Sequence, residues 1–148
     1  MSEQLQQAKC KALSLLNYMD RTEAQLRKKL KEKDFDEEVI DEAIAYVKSF
    51  GYINDVSYAE RYVLNRQTSK SKQEIKAALF QKGVSRENIE LALANCYDKE
   101  DELTAIQKLC EKRHFSLEDS TDAEKKKMYD YLMRKGFRRE DVHRALRV

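Results

Sequence analysis

The chain contains no proline and no tryptophan, and its 148 residues include only three glycines, Gly51, Gly83 and Gly136. Sandwiches and barrels turn frequently on Gly and Pro, so an all-β fold is excluded. No apolar run is long enough to span a bilayer. The start, Met1-Ser2-Glu3-Gln4, is neither basic nor apolar and argues against a signal peptide. Isolated glycines do not make a phosphate-binding loop. His114 and His143 have no Cys or His partner at ligand spacing, so no zinc site is expected. Cys10, Cys96 and Cys110 are odd in number and widely spaced, which points to reduced thiols in a cytoplasmic protein. Carboxylates are abundant but cluster on solvated faces at helix starts, and none stands out as a pair for acid–base work. The sequence therefore implies no catalytic residue, no cofactor and no metal. It describes a protein that works by binding.

What is present in quantity is helix-forming material: Lys, Glu, Leu, Ala, Gln and Arg dominate. Charged residues make up 38% of the chain and hydrophobic ones 41%, yet the net charge is only +2. Disorder usually accompanies low hydrophobicity and a strong net charge, so a folded chain is expected.

The apolar positions repeat. Leu26, Leu30, Asp34-Phe35, Ile40 and Ala43-Ile44 recur as Ile75, Leu79, Gly83-Val84, Ile89 and Ala92-Leu93. They recur again as Met128, Leu132, Gly136-Phe137, Val142 and Ala145-Leu146. The three copies align without insertion, the signature of a repeat architecture. Each copy predicts a helix, a tight turn and a second helix whose i, i+3, i+4 stripe faces the same core. Gly83 and Gly136 stand where a helix ends in a left-handed residue, and Asp34 takes that place in the first copy. Thr22-x-x-Gln25, Ser71-x-x-Glu74 and Thr121-x-x-Glu124 read as capping boxes, with Asp36 and Ser85 as further N-caps.

An amphipathic stretch precedes every copy, marked by Ala12/Leu16, Ala59/Val63 and Ala105/Leu109. The expectation is an all-α protein of three tandem three-helix repeats, 1–50, 51–97 and 98–148, forming an elongated, curved array. A unit of roughly 50 residues is marginal alone, so neighbouring repeats should share surface.

Charge follows the same period. The middle helix of each copy is basic toward its end, and the next opens with acids such as Asp36, Glu37, Glu87, Glu140 and Asp141. Complementing the helix dipoles, at about 0.3–1 kcal/mol per group, accounts for much of this. The second copy exceeds it: Arg61, Arg66, Lys70, Lys72 and Lys76 are little offset by acid and lie near Tyr58 and Tyr62. Cations among aromatics suit contact with phosphates or with an acidic protein surface.

The junction Phe50-Gly51-Tyr52-Ile53-Asn54-Asp55, followed by Tyr58-Ala59 and Arg66, resembles the RecX family of recombination regulators. So do Lys82-Gly83-Val84, Arg134-Lys135-Gly136-Phe137 and the opening Arg21-Thr22-Glu23-x-x-Leu26-Arg27-x-Lys29-Leu30. The likeness covers nearly the whole chain. Two places depart from the family pattern: Asp34 replaces the usual glycine, and Ser69-Lys70-Ser71-Lys72 replaces a Lys-x-Gly pattern after Arg66. The junction block also reads as architecture, with Gly51 ending a helix and Asn54 or Asp55 capping the next.

The resemblance implies a non-enzymatic, monomeric cytoplasmic protein of DNA repair, recombination and the SOS response. Its partner would be the RecA recombinase filament, whose ATPase, strand exchange and extension it would hinder. Single- or double-stranded DNA would be a weaker second contact. The residues carried over by position are Tyr58, Arg61, Arg66, Lys70, Lys72 and Lys76. Two other readings stay open: a helical protein that binds nucleic acid directly, or a helical scaffold for some other protein.

Overall fold

The computed structural model describes residues 2–148. Among the described residues there are nine helices and no strand. They run α1 Glu3–Tyr18, α2 Glu23–Glu32, α3 Glu37–Ser49, α4 Asp55–Arg66, α5 Lys72–Gln81, α6 Arg86–Cys96, α7 Lys99–Lys112, α8 Asp122–Arg134 and α9 Arg139–Leu146. The all-α, three-by-three organisation expected from the repeat is present.

The caps explain the boundaries. Thr22, Ser71 and Thr121 each accept the N3 amide of their helix, while Gln25, Glu74 and Glu124 reach back to the cap amide. Ser85 caps α6 by accepting from the Asn88 amide at 3.2 Å. Asp36 stands at the N-cap of α3 but makes no side-chain cap bond. At the other ends, Asp34, Gly83 and Gly136 have φ of 62°, 88° and 93°. The reversed backbone lets the Val84 amide donate to the Leu79 carbonyl at 3.1 Å and the Phe137 amide to that of Leu132 at 3.3 Å. These bonds satisfy carbonyls that a helix end would otherwise orphan.

By packing, the chain forms two compact units. The first runs to Ala59 and includes Leu79–Ile89; the second comprises Glu60–Ala78 and Glu90–Val148. In the first, Ala8 and Ala12 of α1, Leu26 and Leu30 of α2, and Ile40, Ala43, Ile44 and Val47 of α3 make one buried cluster with Ile53. In the second, Ala105 and Ile106 of α7 join Met128, Leu132, Phe137, Val142 and Leu146. Positions equivalent by repeat are therefore core in both.

Each unit contains a joint built from the same parts. In the first, the Thr22 hydroxyl donates to the Lys82 carbonyl at 2.6 Å, and the Glu23 amide donates to Asp55 Oδ1 at 2.9 Å. In the second, the Ser71 hydroxyl donates to the Lys135 carbonyl at 2.5 Å, and the Lys72 amide donates to Glu102 Oε1 at 3.4 Å. Thr22 and Ser71 are fully buried. The start of one repeat's middle helix is thus pressed against the turn of the next. A Cβ on Gly83 would collide with Ala24 Cβ, and one on Gly136 would sit 2.7 Å from Gln73 Cβ. Glycine is required here twice over, for its positive φ and for the approach. Lys48–Glu23 at 3.0 Å and Lys135–Glu74 at 3.7 Å add ion pairs at the two joints.

Two stability measurements follow. Leu79 is fully buried, so Leu79→Ala should lower unfolding free energy by about 2–5 kcal/mol in urea titrations. Gly51 also has positive φ, 74°, but nothing lies within 4 Å of a Cβ placed there. Gly51→Ala should therefore show only backbone strain, about 1–3 kcal/mol. Gly83→Ala should add an overpacking cost of about 1–3 kcal/mol, and the same titrations would rank the two.

Candidate partner-binding surface

The basic stretch falls on α4, the loop behind it and the start of α5. Ala59 and Val63 are fully buried, which turns Arg61 to the opposite, outer side of the helix and leaves Tyr58, Tyr62 and Arg66 nearer the buried side. Arg61 is exposed, and Tyr58, Tyr62 and Arg66 are half-buried. The Arg66 guanidinium lies 4.0 Å from the centre of the Tyr62 ring. Spacing of i, i+4 brings the two together, and the ring face attracts the cation. Arg66 also ends α4, where a cation meets the negative end of the helix dipole.

The loop is held by its backbone. The amides of Ser69 and Lys70 both donate to the Arg66 carbonyl, at 3.1 and 3.0 Å. The Lys70 carbonyl accepts from the buried Tyr97 hydroxyl at 3.1 Å. Burial, with Glu102, Asp101, Asp141 and Glu74 nearby, pushes that phenol far up, so it remains a donor. Lys70 is thereby fixed at its main chain while its side chain stays half-exposed.

Lys72 and Lys76 occupy successive turns of α5. With Gln73, Glu102, Gly136 and Arg138 they line a concavity of about 230 Å³. The Lys76 ammonium is 2.8 Å from Glu90, so it is not the unopposed charge the sequence suggested. Arg138 supplies a further cation that the repeat pattern did not single out. It stands 3.5 Å from Glu102 and 3.7 Å from Asp141. Its only signal in the sequence was its place directly behind the Gly136-Phe137 turn.

The carboxylates require a correction. Glu102 is 2% exposed and Asp141 8%, so these two helix-start acids do not lie on solvated faces. The reason is the second joint, where Glu102 accepts the Lys72 amide. Asp55 plays the matching part at the first joint, and burial pushes its carboxyl above the ordinary range. The cysteines are all free; Cys10 is exposed, and Cys96 and Cys110 are half-buried, with burial pushing both thiols up. Raised thiols are poor nucleophiles. Among the described residues, no cluster of three His, Cys, Asp or Glu could hold a metal ion. No described helix is long and apolar enough to cross a membrane.

These features define a helical-repeat protein with cations and aromatics gathered on the surface of its second repeat. Comparison with known proteins places it more narrowly. Three family descriptions match in order: the first three-helix domain of RecX over residues 8–46, the second over 54–93 and the third over 100–146. The regulatory protein RecX of Clostridium beijerinckii is 33% identical over 149 residues, covering 99% of this chain and 70% of that protein. That of Clostridium perfringens is 38% identical over 134 residues, covering 87% and 63%. That of Caldanaerobacter subterraneus is 36% identical over 143 residues, covering 96% and 70%. The crystal structure of RecX from Lactobacillus salivarius superimposes with a TM-score of 0.83 at 28% identity, over 99% of this chain and 97% of that one. The chain belongs to the RecX family. It spans 63–70% of the length of these curated relatives.

The candidate surface stands apart from the buried clusters. Lys72 and Lys76 are half-buried, and the Lys76–Glu90 pair is exposed enough to be worth about 0.2–1 kcal/mol. The double variant Lys72→Ala, Lys76→Ala should leave the melting temperature within a few degrees of the parent chain by circular dichroism.

Proposed function

We propose that this protein is a non-enzymatic, cytoplasmic regulator that binds the RecA–DNA filament and slows its ATPase, strand exchange and extension. The observation that carries the reading is the succession of all three RecX three-helix domains along the chain. Its relatives are named regulatory proteins, and a chain of similar domains suits a partner that is itself repetitive. Several weak contacts on one chain gain affinity through effective concentration. The contact residues are Tyr58, Arg61, Arg66, Lys70, Lys72 and Lys76, joined by Arg138. A monomer suffices for this task.

A second reading rests on the concavity lined by Lys72, Lys76 and Arg138, whose charge also fits phosphates. Direct binding to single-stranded DNA would weaken steeply with salt.

The decisive measurement is a titration of the protein into a RecA–single-stranded DNA ATPase assay. Turnover should fall as the protein is added, and the Lys72→Ala, Lys76→Ala variant should need a higher concentration for the same effect. Unchanged turnover and no filament binding at about micromolar protein, a range typical of weak specific contacts, would defeat the proposal. Tight, salt-sensitive binding to DNA without RecA would favour the second reading.

A further inference from the structure

Glu102 of α7 and Asp141 of α9 form a buried carboxyl pair at the second joint. Asp141 lies within hydrogen-bonding reach of Glu102. Their outer oxygens, Glu102 Oε2 and Asp141 Oδ2, are shielded from solvent and have no hydrogen-bond donor. Arg138 Nε stands 3.5 and 3.7 Å from these same oxygens, longer than a hydrogen bond, and its own side chain is half-exposed. The other Glu102 oxygen is taken by the Lys72 amide. Two ionised carboxylates in this position would leave two buried acceptors unsatisfied and repel each other, a costly arrangement. One proton removes both costs: on Glu102 Oε2 it donates to Asp141 Oδ2.

We propose that Glu102 and Asp141 share one proton, and that this proton is a pH-sensitive latch holding α7 and α9 against the start of α5. The groups facing the pair are few. From α5 come the Lys72 amide and, lining the same concavity, Lys76. Arg138 precedes α9, and Lys135, paired with Glu74, ends α8. Tyr97 lies close enough to both carboxyls to interact electrostatically, as it does with Asp101 and Glu74, and it donates to the Lys70 carbonyl. Burial, the Asp141 hydrogen bond and the Asp141 charge hold the Glu102 carboxyl above its ordinary value; the Lys72 amide and Arg138 pull the other way.

A raised value means that the folded chain holds more protons than the unfolded one across the interval between the two. Stability therefore falls as pH rises through that interval. Deprotonation also adds a negative charge beside Lys72, Lys76 and Arg138, which weakens the attraction of that concavity for anions.

The test is a carbon-13 carboxyl NMR titration of the full chain. Glu102 should titrate above the ordinary carboxylate range. Asp141→Asn removes the like charge and should bring the Glu102 midpoint down; Arg138→Gln removes a cation and should raise it. Glu102→Gln mimics the protonated form, so the parent chain should lose melting temperature relative to it as pH rises through the Glu102 midpoint. An ordinary Glu102 midpoint would overturn the latch, as would a Glu102 midpoint unmoved by Asp141→Asn, since burial alone would then explain the shift. If Asp141→Asn fails to fold, the Arg138→Gln titration and the pH dependence of Glu102→Gln decide the matter.

Discussion

A single buried hydroxyl, on Thr22 in one unit and on Ser71 in the other, organises this protein. Each hydroxyl accepts the N3 amide of its own helix and donates to a carbonyl some 60 residues away, Lys82 and Lys135 respectively. One atom thus ends the solvation problem of a helix start and of a helix end at once. The glycine that follows each carbonyl completes the arrangement, because only a residue without a side chain lets the two termini meet. The apolar clusters supply most of the stabilisation, but they are non-directional. It is the hydroxyl and the glycine that fix which helix meets which turn.

The same joints account for several acids that otherwise read as complements to a helix dipole. Asp55 and Glu102 lie on the helices that open the second and third repeats, where acids are expected. Each has been drawn into a joint as acceptor for an amide that has no partner within its own helix. The charge surplus of the second repeat divides similarly. Lys76 is committed to Glu90, and Arg66 rests on Tyr62, whereas Lys72 and Arg138 meet at the rim of a concavity. Residues held in pairs and residues that line the concavity are therefore brought together by the fold.

The repeat, the helix boundaries and the core were legible from spacing. The pairs Leu26/Leu30, Ile75/Leu79 and Met128/Leu132 are all buried, because the i, i+4 periodicity that reveals a helix face is the same geometry that buries it. The caps were legible for an equally local reason, since donor and acceptor lie three residues apart. The joints were not. Thr22–Lys82 and Ser71–Lys135 join groups too distant for any pattern to link, and the acceptors are backbone carbonyls, which carry no signature. Burial of Glu102 and Asp141, and the arrival of Arg138 beside Lys72, are consequences of those joints and were hidden with them. The substitution of Asp34 for glycine was visible, but what sets its turn apart was not: its backbone shares the positive φ of Gly83 and Gly136, yet the joint hydroxyls of Thr22 and Ser71 meet those two turns and not this one.

That last difference gives the repeat series a polarity. Every joint needs a hydroxyl-bearing helix start in front and a side-chain-free bend behind, so two copies can mate in only one order. Asp34 carries a Cβ at the position where Gly83 and Gly136 have none. Thr121-Asp122-Ala123 keeps the composition of Thr22-Glu23-Ala24, and its hydroxyl is turned aside onto Glu124 at 3.0 Å. A repeat engineered to dock on such a helix start would accordingly need a glycine at the bend that follows its own middle helix.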